Sequence, residues 1–181
     1  MRITKVTTKT GDGGKTSLGD GQRVHKNHPI INTLGELDYL NSIIGWTEVA
    51  STNENYSSEL KNIQQDIFNI SGDLSLPKSD VSLLKEDRII QLEEMIKIMN
   101  EKLPPLEEFI LPGGNEFNAR LHVARTTCRN SERALVSLHL EHEKNQIHAK
   151  YLNRLSDYLF LLARDVAQSE NQNEEHWELE K

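Results

Sequence analysis

The chain has 181 residues, a formal net charge of −7 and a single cysteine, Cys128. This length suits one domain, residues 1–181, and the acidic balance argues against a general nucleic-acid binder, because phosphate backbones are bound by clustered lysines and arginines. One cysteine excludes an internal disulfide and fits a reducing compartment. The sequence shows no secretory leader and no run of about 20 apolar residues, so we expect a cytoplasmic protein without a membrane span.

The N-terminal loop, residues 8–17, is rich in glycine, hydroxyl and lysine side chains. Glycines allow main-chain N–H groups to approach an anion, and Lys9 and Lys15 add positive charge. We interpret residues 1–28 as a segment that binds nucleotide phosphate; a glycine-rich surface turn without a ligand is the alternative. The segment is not a Walker P-loop, because Lys9 occupies the position where that motif requires its first glycine.

Apolar residues then recur at helical spacing in five segments of the chain. The predicted helices run from about 29 to 50, through Leu60 to about Gly72, from about 84 to 101, from an Asn115 cap to about His142, and from about 145 to 168. No segment shows a credible strand alternation, so the sequence predicts an all-α fold, a five-helix bundle over residues 29–168. We expect the acidic tail, residues 169–181, to be mobile, with Trp177 as the residue that could be anchored.

Three arginines, Arg125, Arg129 and Arg133, recur every four residues in the fourth predicted helix. This spacing places them within a sector of about 80 degrees, and we call them the arginine face. Like charges on one face destabilise a helix unless an anion lies opposite, and the polyphosphate of ATP would suit this face. A solvated basic edge, relieved by Glu132 and other carboxylates, is the alternative.

Two carboxylates border apolar stripes: Asp38 in the first predicted helix and Asp157 in the fifth, where Asn153 shares its face. Buried carboxylates are rare unless they are paired, so we expect Asp38 and Asp157 to meet arginines such as Arg125 or Arg154. Ion pairs with a purely structural role are the alternative interpretation.

Two other chemistries have little support in the sequence. A di-iron centre in a helical bundle needs Glu-x-x-His pairs, and no glutamate stands three residues before His122, His139, His142 or His148. Cys128 falls on the apolar stripe of its helix, which is typical of a core residue rather than a nucleophile.

Taken together, these segments resemble the PduO-type ATP:cob(I)alamin adenosyltransferases, which are trimeric helical bundles. The matching segments follow in the family's order across nearly the whole chain: residues 8–12 with Gly14, Thr16 and Ser17, then Arg23, Val24 and Lys26, residues 35–42, residues 109–114, residues 125–133 and residues 151–157.

The resemblance implies a corrinoid adenosyltransferase that moves the 5′-deoxyadenosyl group of ATP to cob(I)alamin and releases tripolyphosphate. It also implies a homotrimer with active sites between adjacent subunits, and Mg²⁺ accompanying the phosphates of ATP. A reductase and a cobalamin-dependent enzyme would be partners in the cell. A catalytically silent, ATP-responsive cobalamin carrier or sensor and a purely structural bundle are the alternatives.

The same resemblance assigns catalytic roles to Asp38, Arg125, Arg129 and Phe109. Asp38 and Arg125 would form an ion pair that orders the site, and Arg129 would contact the polyphosphate. Phe109 would lie beneath the corrin ring and help to displace the lower axial ligand of cobalamin. The residues implied to bind ATP are Thr8, Lys9, Thr10, Gly11, Asp12, Gly14, Thr16, Ser17, Lys26, Arg129, Asn130, Glu132, Arg133 and Asn153.

Three positions depart from the family's pattern. Gly13 replaces the usual cation of the phosphate loop, although Lys15 is close enough to compensate. Tyr39 stands where an acid is common, and Asn130 where a second consecutive arginine is frequent. The departures bear on the strength of ATP binding and on the contact between subunits.

Overall fold

The computed structural model describes residues 7–80, 82–139, 145–171 and 174–178. Within these ranges the chain forms a five-helix bundle preceded by a small antiparallel hairpin, which confirms the predicted helical fold. The elements are β1 (Lys15–Ser17), β2 (Arg23–His25), α1 (Pro29–Glu48), α2 (Glu54–Ser75), α3 (Glu86–Lys102), α4 (Glu116–His139) and α5 (Asn145–Ser169). The predicted extension of α4 to His142 lies outside the described residues.

The helices begin where polar side chains can satisfy their first N–H groups. His28 Nδ1 accepts a hydrogen bond from the Ile30 N–H at 3.2 Å, and Pro29 occupies the first turn. Asn53 caps α2, and Asn115 Oδ1 accepts from the Asn118 N–H at 2.7 Å at the start of α4. The predicted cap at Asn115 is therefore confirmed.

Helix α4 lies between α1 and α5, while α2 packs against α1 and α3 against α5. Leucine, isoleucine and alanine side chains from all five helices fill the space between them. Hydroxyl groups join α1 to α4: Ser131 donates to the Glu36 carbonyl at 3.0 Å, and Thr47 to the Arg120 carbonyl at 3.3 Å. These pairings fix α1 and α4 as antiparallel neighbours.

A buried polar network connects α2, α3 and α5. Arg88 of α3 donates to Asp66 at 2.7 Å and to Glu59 at 2.8 Å, both on α2. The Tyr151 hydroxyl of α5 donates to the same Asp66 carboxylate at 2.7 Å. Burial, together with the neighbouring Asp66 charge, raises the pKa of Tyr151 well above its ordinary value. The network therefore joins α3 and α5 to α2.

The β1–β2 hairpin corrects the expectation that the chain has no strands. Thr16 pairs with Val24 at its centre, and Gly21 takes a φ of 85° in the connecting turn. Each strand has three residues, which is too short for an apolar alternation to be seen in the sequence. Leu18 and Val24 are buried, and the Gly19 N–H donates to the Ser75 carbonyl at 2.9 Å, so the hairpin lies on the C-terminal end of α2.

None of the described helices is both long and apolar enough to cross a membrane.

Candidate active site

The hairpin holds the N-terminal loop in a tight, folded conformation. The Gly14 N–H donates to the Gly11 carbonyl at 3.1 Å, and the Lys26 N–H donates to the Gly14 carbonyl at 2.9 Å. Both Lys9 and Gly14 adopt left-handed backbone conformations, with φ values of 58° and 78°. This conformation costs a non-glycine residue such as Lys9 about 1–2 kcal/mol, and strain of this kind concentrates at functional sites.

Cationic side chains surround this loop. Arg23 of β2 donates to the Thr10 carbonyl at 2.8 Å and lies 3.4 Å from both the Lys15 carbonyl and the Ser17 hydroxyl. The ammonium of Lys26 lies against Gly11, where an added Cβ would be 3.2 Å away. The sequence matched Arg23 to the family but did not identify it as the residue that organises the loop.

Most of the loop residues assigned to ATP are open to solvent. Thr8, Lys9, Thr10 and Asp12 are exposed, and the Thr8 and Thr10 hydroxyl oxygens are 2.9 Å apart. Thr16 is half-buried at the centre of the hairpin. The loop therefore offers hydroxyl, ammonium and main-chain N–H groups to a ligand.

The arginine face lies on α4 as the spacing predicts. Arg129 and Arg133 are exposed, whereas Arg125 is half-buried with its guanidinium 5.8 Å from the centre of the Phe160 ring. Burial and the neighbouring Arg129 charge lower the pKa of Arg125. Its buried Nε has no hydrogen-bond partner among the described residues. No ion pair engages these three arginines in the described part of the chain, so the arginine face is suited to an anion.

Asn153 stands beside this face on α5. Its amide nitrogen donates to Glu132 at 3.2 Å, and its amide oxygen accepts from Arg154 at 2.8 Å. Arg154 pairs with Glu93 of α3 at 2.8 Å instead of with a carboxylate of α1 or α5, because α3 packs against this side of α5. Asp157 is exposed, and no ion pair engages it within the described ranges.

Asp38 and Arg125 do not pair within one subunit. The Ser131–Glu36 hydrogen bond sets the level of α4 against the antiparallel α1, which puts Asp38 opposite Arg129. Arg125 lies one helical turn further along, a rise of about 6 Å. Asp38 is exposed, and its carboxylate has no ion-pair partner in the described part of the chain. The ion pair implied by the resemblance stays a prediction.

The Phe109 loop, residues 109–114, forms a second region of the candidate site. Phe109 is 75% exposed, and Leu106, Leu111 and Trp177 are exposed around it. Apolar side chains gathered at a surface in this way mark a binding area. A flat hydrophobic ligand would bury them.

The tail segment, residues 174–178, pairs with the Phe109 loop. The Trp177 N–H donates to the Phe109 carbonyl and the Leu111 N–H to the Glu175 carbonyl, both at 2.7 Å. The Phe109 and Trp177 rings meet edge to face with their centres 6.5 Å apart. The sequence indicated Trp177 as the residue of the tail that could be anchored. It gave no indication of the backbone pairing.

A small cavity of about 90 Å³ lies behind the Phe109 loop, between α4, α5 and the tail segment. Its lining includes His122, Arg164 and Glu174. Arg164 is buried and forms an ion pair with Glu174 at 3.0 Å. Burial and the Arg125 charge lower the pKa of His122. Sequence analysis identified neither Arg164 nor Glu174 as part of this region.

The candidate site has three parts: the N-terminal loop, the arginine face and the Phe109 loop. No hydrogen bond or ion pair among the described residues joins the N-terminal loop to the arginine face or to the Phe109 loop. The structure places Arg129, Asn130, Glu132, Arg133 and Asn153 together on α4 and α5, and residues 8–17 with Lys26 on the hairpin.

Comparisons with known proteins identify the family of this chain. The family model for cobalamin adenosyltransferase matches residues 6–166. The chain is 43% identical, over 182 aligned positions, to the cobalamin adenosyltransferase of Cupriavidus metallidurans, covering 99% of this chain and 97% of the relative. It is 37% identical to the human corrinoid adenosyltransferase MMAB, covering 96% and 73% of the two chains. The chain belongs to the cobalamin adenosyltransferase family.

Solved structures give the same result. A variant of the PduO-type ATP:corrinoid adenosyltransferase of Lactobacillus reuteri, complexed with cobalamin and ATP, superposes with a TM-score of 0.91 at 37% identity, covering 97% of this chain and 100% of that chain. The corrinoid adenosyltransferase PduO of Citrobacter freundii is 39% identical to this chain. The alignment covers 93% of this chain and 51% of that longer relative.

Proposed function

We propose that this protein transfers the 5′-deoxyadenosyl group of ATP to cob(I)alamin, forming adenosylcobalamin and tripolyphosphate. The observation that carries the proposal is the arginine face, Arg125, Arg129 and Arg133, in a chain of this family. Like charges on one helix face are unfavourable unless an anion lies opposite, so this face favours a polyanionic ligand. Relatives named corrinoid adenosyltransferase and a similar structure complexed with cobalamin and ATP support this substrate pair.

The proposed reaction requires no nucleophilic side chain. Cobalt(I) gives an electron pair to the 5′ carbon of ATP and becomes cobalt(III), while the bond from that carbon to oxygen breaks and its electrons leave with tripolyphosphate. The leaving group is already anionic, so it needs no proton from a general acid. The protein therefore has to orient the two substrates and stabilise the charge that develops on the phosphates.

Residues of the chain can be assigned to these two tasks. Arg129 is exposed beside Asn153 and Glu132, where it can contact the polyphosphate. Lys9 and Lys26 supply charge from the hairpin side of the site. Phe109 offers an exposed ring to the lower face of the corrin, where the ring would exclude the lower axial ligand of the cobalt and make cobalt(II) easier to reduce.

Mg²⁺ fits this site as an ion carried by ATP. No group of three or more histidine, cysteine, aspartate or glutamate side chains that could bind a metal ion occurs among the residues that the structure describes. Mg²⁺ usually keeps several waters and is bound by phosphates with one or two carboxylates. Asp12 is the carboxylate within the N-terminal loop that could contribute.

We further propose a homotrimer with active sites between subunits. The proposal is supported by the N-terminal loop and the arginine face, which no hydrogen bond or ion pair joins among the described residues of one chain. Exposed apolar side chains on α1 and α4, Tyr39, Val123 and Val136, are available for a subunit contact. Light scattering coupled to gel filtration would test the assembly, and a monomer that retains full activity would exclude it.

A cytoplasmic location fits the acidic, single-cysteine composition. Cobalt(I) must be generated by a one-electron reductant, so we expect a reductase to supply the electron and a cobalamin-dependent enzyme to use the product.

The decisive experiment is an anaerobic incubation of the purified protein with ATP, Mg²⁺ and chemically reduced cobalamin. We expect a light-sensitive cobalt–carbon product and one tripolyphosphate for each adenosylcobalamin, with neither formed when ATP is omitted. A carrier or sensor would bind both ligands and release no tripolyphosphate, and that outcome in a single-turnover assay would overturn the proposal.

A further inference from the structure

A buried arginine of α5 contacts both backbone segments that lead to the Phe109 loop. The side chain of Arg164 is 6% exposed, and its Nε donates to Glu174 Oε1 at 3.0 Å. Its Nη2 donates to the Pro104 carbonyl at 3.1 Å. Pro104 begins the connection from α3 into the Phe109 loop, and Glu174 begins the tail segment. Arg164 therefore anchors two segments that are 70 positions apart in sequence to one helix.

The same two segments meet again at the surface. Trp177 donates its N–H to the Phe109 carbonyl, and the Leu111 N–H donates to the Glu175 carbonyl. The contacts form a closed path from Arg164 through the tail segment to the Phe109 loop and back through the chain to Pro104. Moving Arg164 would loosen both sides of this path at once.

Phe109 cannot be held in place by packing of its own ring, because the side chain is 75% exposed. Its described aromatic contact is the edge of Trp177, which belongs to the tail segment. The position of the ring therefore depends on the backbone that carries it and on the tail segment that covers one edge. Arg164 holds the tail segment through Glu174 and the backbone that leads to Phe109 through the Pro104 carbonyl.

We propose that Arg164 is a positioning residue that sets the place of the Phe109 ring beneath the corrin. It acts through Glu174 and the Pro104 carbonyl and does not contact the substrates itself. The proposal rests on the proposed function, in which Phe109 excludes the lower axial ligand of cobalt.

The energetics of burial favour such a role over a purely stabilising one. A buried arginine–carboxylate pair loses much of its solvation, so its net contribution to stability is small and an apolar pair of similar volume often serves as well. What the pair provides here is a directional link, since the guanidinium binds a carboxylate and a carbonyl in a fixed geometry.

The first measurement follows Trp177 and needs no cobalamin. A Trp46→Phe background leaves Trp177 as the single tryptophan of the chain. We expect Arg164→Met to shift its fluorescence emission to longer wavelength and to increase quenching by acrylamide, because the tail segment separates from the Phe109 loop. Arg88→Met is the matched control, since it removes a half-buried arginine with two carboxylate partners at the other end of α3 from this loop. It should lower the melting temperature and leave the Trp177 emission unchanged.

The second measurement follows cobalt. Wild type and variants are incubated anaerobically with ATP and cob(II)alamin, and electron paramagnetic resonance gives the fraction of bound cobalt(II) that has lost its lower ligand. We expect Arg164→Met to lower the ratio of four- to five-coordinate cobalt by roughly tenfold, a change of about 1.4 kcal/mol, because a displaced Phe109 ring excludes the lower ligand less well. Affinity for ATP should not change. Glu174→Gln should shift the ratio in the same direction by less, and Arg164→Lys should recover part of it.

The outcomes separate this proposal from the proposed function. If wild type forms adenosylcobalamin from supplied cob(I)alamin while Arg164→Met and Glu174→Gln match wild type in both measurements, the positioning role is overturned and the function stands. If Arg164→Met does not fold, Glu174→Gln and Arg164→Lys decide the question by the same measurements. If wild type forms no adenosylcobalamin, the proposed function fails, and with it a role for Arg164 beneath a corrin.

Discussion

The amide nitrogen of Asn153 on α5 donates to the carboxylate of Glu132 on α4 at 3.2 Å. This hydrogen bond joins the two helices that carry the predicted polyphosphate contacts. On the same helix, Arg129 lies about one turn before Glu132, and Arg133 is the residue that follows it. The bond therefore makes the α4 and α5 residues of the candidate site one continuous surface, and substitutions there can be interpreted together.

Substitution of Arg129 by alanine should slow adenosyl transfer. If Arg129 stabilises the charge on the departing tripolyphosphate, its loss should cost roughly 2–4 kcal/mol in the transition state, as for other preorganised donors. The turnover number at saturating ATP and cob(I)alamin is the quantity to measure. Lys97→Ala removes an exposed cation from α3 and should have no effect. Unchanged turnover in Arg129→Ala would contradict the assigned role.

Substitution of Phe109 by alanine should separate the two chemical steps. We expect it to impair reduction of enzyme-bound cobalt(II) more than adenosylation of supplied cob(I)alamin, because only the first step depends on exclusion of the lower ligand. Both rates can be followed by absorbance under anaerobic conditions. Phe68→Ala, which removes an aromatic ring that is exposed on α2, is the control. Equal losses in both steps would count against the axial-ligand role.

The two adjacent glycines of the N-terminal loop should respond differently to alanine. Gly14 has a φ of 78°, and the left-handed conformation costs a non-glycine residue about 1–2 kcal/mol. We therefore expect Gly14→Ala to weaken ATP binding by about 5- to 30-fold. An added Cβ at Gly13 would have no atom within 4 Å, so Gly13→Ala should bind ATP nearly as wild type does. Titration calorimetry with Mg²⁺-ATP distinguishes the two, and equal affinities would show that ATP binding does not depend on the left-handed conformation at Gly14.

Removal of the Tyr151 hydroxyl should destabilise the bundle. Tyr151 is fully buried and donates to the charged Asp66, and hydrogen bonds to charged groups contribute about 1.5–3 kcal/mol. Urea unfolding of Tyr151→Phe should show a loss of this size in the free energy of unfolding. Tyr56→Phe removes a bond of 2.6 Å to Asp165 at a half-buried position, where water can replace it, and should cost less. If Tyr56→Phe lost more free energy of unfolding than Tyr151→Phe, burial would not be what sets the strength of these hydrogen bonds.

Stability should fall as the solution is acidified below about pH 6.5. Burial lowers the pKa of His148 below its ordinary value of 6.5, although the Asp73 carboxylate 3.0 Å away opposes the shift. At a pH between the lowered pKa of His148 in the folded chain and its ordinary pKa in the unfolded chain, the unfolded chain binds a proton that the folded chain does not. The free energy of unfolding therefore decreases as pH falls. The buried His122 contributes with the same sign.

The pH effect can be measured by urea unfolding at pH 7.5, 6.5 and 5.5 with protein concentration held constant. His148→Gln keeps a group able to bond Asp73 but cannot titrate, so its stability should change less over this interval. His176→Gln alters an exposed tail residue and should keep the wild-type slope. If the free energy of unfolding of His148→Gln depended on pH as steeply as that of wild type, His148 would be excluded as a source of the pH dependence.

The helices could be predicted from sequence because their apolar stripes and caps are local features. The sequence predicts Asn115 as a helix cap, and the four-residue spacing of the arginines predicts that they share one face of α4. The β1–β2 hairpin was missed because its strands are short and owe their stability to the contact between Gly19 and Ser75, which are distant in sequence. No local pattern carries that information.

The contacts around the Phe109 loop escaped prediction for a related reason. Arg164 interrupts an apolar helix face and looks like a solvent-facing residue until its partners are known. Glu174 is one of several glutamates in an acidic tail, and nothing in the sequence separates it from its neighbours. The sequence predicted that Asp38 meets an arginine such as Arg125 or Arg154, and the resemblance implied the pair with Arg125. The level of α1 against α4 in this chain does not supply that pair.

The single cysteine gives this protein a practical property. The Cys128 thiol is fully buried and donates to the Leu152 carbonyl at 3.2 Å, and burial raises its pKa. Thiol-specific reagents react with exposed thiolate, so the native fold should protect Cys128 from them. A cysteine introduced on the surface, for example at Lys97, could then be labelled selectively with a fluorophore or spin label. The proposed homotrimer could be tested in this way, by measuring distances between labels without first removing the natural thiol.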